Sequence, residues 1–151
     1  MFGWARTVNP SQPITVGHWV RNNPALNALI AANSDVVAFY YYDDLPKLMA
    51  YVTELSQVQR PLICTEWLNR SRNSVPETIL PYFKEQRIGS LHWGLVNGKT
   101  QTNLPWGHRP GDPEPTVWQH DLYRPDRTPY RLAELNLFRT TINQRSAPAT
   151  R

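Results

Sequence analysis

The sequence predicts an α/β fold in which consecutive βα units build a parallel sheet, and three observations carry that reading. Short apolar runs recur at Ile14 to Val16, Val36 to Phe39, Leu62 to Cys64 and Ile88 to Leu91. Val36 to Phe39 and Leu62 to Cys64 are continuous rather than alternating, which suits parallel strands covered on both faces. Their starts at Ile14, Val36, Leu62 and Ile88 lie 22, 26 and 26 residues apart, the length of a strand with its crossover helix. Helical patterns with identifiable start signals fill the gaps.

The first such pattern follows Asn23-Pro24, where a capping side chain precedes a proline at the first helical position and Ala25 to Ile30 continue it. Asp43 or Asp44 can cap the second, in which Leu45, Leu48, Met49, Val52 and Leu55 repeat at helical spacing. Ser74-Val75-Pro76-Glu77 reads as a capping box before Ile79, Leu80 and Phe83. A last helix is expected from about Thr128-Pro129, carrying Leu132, Leu135, Phe138 and Ile142. The order is β-α-β-α-β-α-β, a long loop, then α. It suits an open doubly wound sheet or half of a closed (β/α)8 barrel, and the pattern leaves both open.

Composition narrows the function classes. The chain has 151 residues, against about 250 for a complete (β/α)8 barrel. A hydrophobic share of 40% excludes a disordered chain, and six Trp with seven Tyr supply much flat aromatic surface. The 16 Lys and Arg are scattered without aromatic interleaving, so the formal charge of +4 reads as solvated surface and no nucleic-acid partner is expected. No run approaches the about 20 apolar residues of a membrane span, and Met1 to Arg6 lacks the apolar run of a signal peptide. Cys64 stands alone, which rules out an internal disulfide and leaves the compartment open. No glycine-rich phosphate loop comes after any strand. His18, His92, His108 and His120 show no metal-ligand spacing, so no metal is expected.

Ligands of parallel α/β sheets bind at the carboxyl ends of the strands. These ends deliver His18 and Trp19, then Tyr40 to Asp43, then Glu66 and Trp67, then His92, Trp93 and Asn97. Glu66 thus sets a carboxylate among indole and phenol rings. A pyranose presents an apolar C–H face and a rim of hydroxyls, so a sugar site needs aromatic platforms and a few polar groups. Trp93 and Trp19 fit the first role. Retaining hydrolysis needs two carboxyl groups about 5 to 5.5 Å apart, and Glu66 is a candidate for one. A nucleophilic carboxylate must stay ionised in an apolar cleft and therefore needs hydrogen-bond donors. Tyr42 is the expected donor; it shares a strand face with Tyr40, and Tyr41 points the other way. The Gly- and Pro-rich stretch from Gly94 to Val117 is too long for an ordinary connection and is expected to be a lid or binding loop, with Trp106 a further stacking candidate.

Pro61 to Leu68, Leu91 to Gln101, and Trp118 to Asp126 through Pro129-Tyr130-Arg131 together resemble the last strands and closing helix of cellulase-like glycoside hydrolases of the family 5 type. These enzymes belong to a clan with acid/base and nucleophile glutamates at the ends of the fourth and seventh barrel strands. The resemblance implies a partial TIM (β/α)8 barrel, approximately strands 5 to 8 with their helices. Residues 1–145 would be the C-terminal half of the catalytic barrel and 146–151 a frayed tail. It implies Glu66 as nucleophile, Tyr42 as the tyrosine bonded to it, and Trp93 as the tryptophan under the sugar beside the scissile bond. Tyr40 departs from the pattern, since relatives usually have histidine there. Trp19, Tyr40, Asn97 and Trp106 complete the expected carbohydrate contacts.

The resemblance thus implies a retaining hydrolase of β-linked polysaccharide or oligosaccharide, a chemistry that needs no cofactor. The acid/base glutamate, usually preceded by asparagine, is expected upstream of residue 1, since no Asn-Glu pair occurs in the chain. Relatives are often secreted or periplasmic. The alternative is a non-catalytic carbohydrate-binding module or an inactive fragment. Half a barrel leaves strand edges at the Ile14 and Ile88 runs, so pairing with an N-terminal half or self-dimerisation is expected.

Overall fold

The computed structural model describes residues 1–18 and 23–143. Trp19, the expected sugar platform, and 146–151, the expected frayed tail, lie outside the described residues. The chain runs α1 (Phe2–Thr7), β1 (Gly17–His18), α2 (Pro24–Asn33), β2 (Val37–Tyr40), α3 (Leu45–Ser56), β3 (Leu62–Glu66), a 3-10 turn (Arg70–Arg72), α4 (Pro76–Glu85), β4 (Gly89–Ser90) and α5 (Leu132–Asn143). The four strands form one parallel sheet in sequence order, a mixed α/β arrangement.

Two helix starts are set by local chemistry. The Asn23 side chain accepts from the N–H of Leu26 at 3.0 Å, and Pro24 opens α2. Asp44, rather than Asp43, caps α3 by accepting from the N–H of Lys47 at 3.2 Å. A third start differs from the expected capping box. Val75 occupies the cap of α4 with no side-chain bond, because Ser74 is engaged elsewhere. Its backbone bridges Asn69 in an antiparallel pair, and its hydroxyl accepts from the N–H of Leu68 at 3.4 Å.

Two boundaries also shift. The first strand forms at Gly17–His18, later than expected, while Ile14 and Thr15 bond the residues ahead of β2. The Ile14 N–H donates to Asp35 and the Thr15 hydroxyl to the Val36 carbonyl. The last helix starts at Leu132, beyond the expected Thr128-Pro129. Asp126 folds the chain back by accepting from the N–H and hydroxyl of Thr128, and Pro129 bridges Tyr123.

The core lies on one side of the sheet. Val37 and Phe39 of β2 and Cys64 of β3 pack with Leu48, Tyr51, Val52 and Leu55 of α3, Ile79, Leu80 and Phe83 of α4, and Leu135 of α5. Phe39 meets Tyr51 edge-on at 5.8 Å, and Trp67, 1% exposed, meets Phe83 at 5.7 Å and Phe138 at 5.9 Å. The opposite face carries Ala38, Tyr40, Ile63 and Thr65, of which Ala38 alone is buried.

A buried ion pair ties the loop after β3 to α5. Arg70 donates from Nε to Glu134 Oε1 at 2.9 Å and from Nη2 to Oε2 at 2.5 Å, and it also caps the carbonyls of Trp118, His120 and Asp121. The basic residues are therefore not all solvated surface, as composition suggested: Arg70 is 5% exposed. Among the described residues, no helix is long and apolar enough to cross a membrane.

Candidate functional site

Glu66 reaches the open face of the sheet through an irregularity in β3. Period-two alternation from Leu62 and Cys64, both on the helix-covered side, would send Glu66 the same way. The pairing instead runs Phe39 with Cys64 and then Tyr40 with Glu66, so Thr65 is an extra residue in the ladder. A bulge of this kind re-aims the side chains beyond it. Glu66 therefore joins the face of Ala38 and Tyr40, and Trp67 returns to the core.

At that position the Tyr42 hydroxyl donates to Glu66 Oε2 at 2.7 Å, a well-formed O–H···O bond. Oε1 of Glu66 accepts no hydrogen bond among the described residues. Burial and the adjacent carboxylate both disfavour the phenolate, so the Tyr42 hydroxyl is held far above its ordinary value of 10.0 and stays protonated. Tyr41 turns to the core and stacks on Tyr51 at 5.6 Å.

Aromatic rings frame the pair. Trp106 meets Tyr42 edge-on at 5.1 Å and His120 lies 5.4 Å from the same ring. Trp106 lines two open cavities. One, of about 270 Å³, is lined by His18, Tyr40, Tyr42, Asp43, Arg72 and the indole itself. The other, of about 320 Å³, is lined by Trp93, Gln101, Thr102, His108, His120 and again Trp106. The first falls just below and the second just inside the range for small-molecule sites, about 300 to 1,000 Å³. Their entrances are aromatic and exposed, with Trp93 at 43% and Trp106 at 59%.

The long stretch after Trp93 has a defined path. Gly94 has φ +79°, and a Cβ there would lie 2.7 Å from Asp121 Oδ1 and His120 Cβ, so only glycine fits. Thr102 donates to Asp121 Oδ1 at 2.6 Å, and the Gln119 N–H donates to the Asn103 carbonyl at 2.8 Å. These bonds fold the loop back over the ends of β2 and β3.

Of the residues singled out from sequence, Glu66, Tyr42 and Trp106 come together, with Tyr40 and Trp93 walling the cavities on either side. The Tyr40 hydroxyl lies over Gly17, on the place where a Cβ would stand, so a larger residue there would displace the phenol. Asn97 lines neither cavity; its N–H donates to the Tyr123 carbonyl beside a short bridge between Val96 and Tyr123. Sequence reasoning missed Gln119, His120 and Arg72 as site residues and placed Asp43 at a strand end without giving it a role. Arg72 bonds Asp43 through Nε at 2.8 Å, placing a charge pair at the rim of the first cavity. Gln119 and His120 stand in a stretch without strand or helix pattern, so no periodicity indicated their direction.

Three histidines are held below the ordinary 6.5: His18, His92 and His120, in each case first by burial. Among the described residues, no three His, Cys, Asp or Glu side chains group as metal ligands would. No family model matches the chain, and no curated protein matches it.

Proposed function

We propose that this chain carries the nucleophile half of a retaining β-glycosidase site on strands 5 to 8 of a (β/α)8 barrel. The observation that carries the reading is the Tyr42 hydroxyl donating at 2.7 Å to a glutamate between aromatic walls. In this reading Glu66 Oε1 attacks the anomeric carbon as the glycosidic bond breaks, forming a glycosyl-enzyme that water then hydrolyses. Tyr42 holds Oε2, which fixes the carboxylate plane. Trp93 and Trp106 supply faces for the sugar C–H groups. A second carboxyl group, expected from the fourth strand of the barrel, protonates the leaving oxygen and later activates water. The substrate class is a β-linked polysaccharide or oligosaccharide.

The test is covalent capture. A 2-deoxy-2-fluoro glycoside with a dinitrophenolate leaving group departs without acid assistance, so it reports on the nucleophile alone. Intact-mass and peptide analysis after incubation with glucosyl, mannosyl and xylosyl probes is expected to find one adduct, on Glu66, that is absent in Glu66→Gln. Saturable binding of an oligosaccharide with no adduct from any probe would favour the binding-module reading, to which the wide exposure of Trp93 and Trp106 also lends support.

A further inference from the structure

A chain of buried polar contacts runs from the loop after Glu66 to the backbone of Trp106. The Trp106 N–H donates to Gln119 Oε1 at 2.9 Å, Gln119 Nε2 meets His120 Nε2 at 2.8 Å, and His120 Nδ1 meets the Leu68 carbonyl. Gln119 and His120 are each 2% exposed. Both ends of this chain have fixed polarity: a backbone N–H can only donate, and a backbone carbonyl can only accept. Gln119 must therefore turn its oxygen to Trp106 and its amide N–H to His120. His120 must accept at Nε2 and donate from Nδ1, so one neutral tautomer satisfies every contact.

We propose that Gln119 and His120 form a polar strut that positions Trp106 over the Tyr42–Glu66 pair, and that the strut stands only while His120 is uncharged. A proton on Nε2 sets two donors face to face. Turning the Gln119 amide over relieves that conflict by pointing its N–H groups at the Trp106 N–H, which moves the conflict without removing it. Protonation thus costs one buried bond whichever way the amide faces. The groups facing His120 from the surrounding elements are Glu66 of β3, Asp121 beside it, Arg70 of the 3-10 turn and the Tyr42 ring. Burial and Arg70 favour the neutral ring; Asp121, Glu66 and the Leu68 carbonyl oppose them. Gln119 and His120 are positioning residues acting through Trp106. Their effect on a bound sugar rests on the carbohydrate reading, and the strut itself does not.

The test reads the strut without any sugar. Backbone amide exchange is measured by NMR at about pH 7.5 and about pH 5, each rate divided by its intrinsic rate, with Ile79 and Phe83 of α4 as internal references. Protection of the Trp106 amide is expected to fall about 10-fold at the lower pH relative to those references, the loss of one bond of about 1.4 kcal/mol. Gln119→Glu reverses the order, because a carboxylate accepts from Trp106 and from a protonated His120 together. Its Trp106 amide is then better protected at about pH 5 than at about pH 7.5. Equal protection at both values in the unaltered chain, or the same direction in Gln119→Glu, overturns the proposal. Should that variant fail to fold, the ring ¹⁵N shifts of His120 in the unaltered chain decide. A proton on Nδ1 at neutral pH is expected, and one on Nε2 overturns the proposal.

Discussion

Removing the Tyr42 hydroxyl separates the orientation of Glu66 from its presence. The phenol holds one carboxylate oxygen and leaves the other unengaged among the described residues. Tyr42→Phe keeps the ring against Trp106 and deletes only that bond, so the carboxylate gains rotational freedom. Labelling by the activated fluoro-glycoside is expected to slow by about 10- to 100-fold, the effect of a small misplacement of a reacting atom. An unchanged labelling rate would remove Tyr42 from the proposed site. The face shared by Tyr40 and Tyr42 was readable in the sequence, because side chains alternate along an extended chain. The direction of Glu66 was not, because the extra residue at Thr65 leaves no signature in a five-residue run.

At the scale of elements, the Arg70–Glu134 pair joins the 3-10 turn after β3 to α5, with side chains 1% and 0% exposed. Glu134→Ala leaves a guanidinium buried without its partner, a change that typically costs about 3 to 5 kcal/mol. Urea denaturation is expected to show a midpoint lowered accordingly; a shift worth less than about 1 kcal/mol would mean that water reaches Arg70. Helix starts at Asn23 and Asp44 were legible because capping chemistry is local. The Ser74 start was not, because the hydroxyl and backbone that would cap α4 are taken by Leu68 and Asn69 across the turn. Arg70 and Glu134 are 64 residues apart, and nothing local marks them as partners.

For the whole molecule, the three depressed histidines set the acid limb of stability. An unfolded chain binds protons at these sites near 6.5, where the folded chain resists them. Unfolding thus takes up protons below that value, and stability is expected to decline as pH falls through about 6.5 toward the lower folded-state values. Thermal melts from about pH 8 to about pH 5 test the sign; a midpoint that rises on acidification would contradict it. The sheet presents β1 and β4 as edges and keeps Tyr40, Ile63 and Thr65 only partly covered. Parallel sheets are normally covered on both faces, so a second copy or a complementary half-barrel is the proposed cover. Sedimentation of the chain alone is expected to show a dimer or larger species, and a stable, monodisperse monomer would refute this.

Legible in the amino-acid order alone were the α/β class, the order and approximate spacing of the four βα units, two capped helix starts and the aromatic character of the strand ends. All of these depend on periodicity, propensity and bonds between near neighbours. The Tyr42–Glu66 contact was already expected from strand alternation, but the fold was needed to show that a bulge turns Glu66 out of the core face and that Trp106, bonded through its N–H to Gln119 beside His120, lines two cavities. Each of those depends on a register slip of one residue or on a contact between distant segments, which local pattern does not encode.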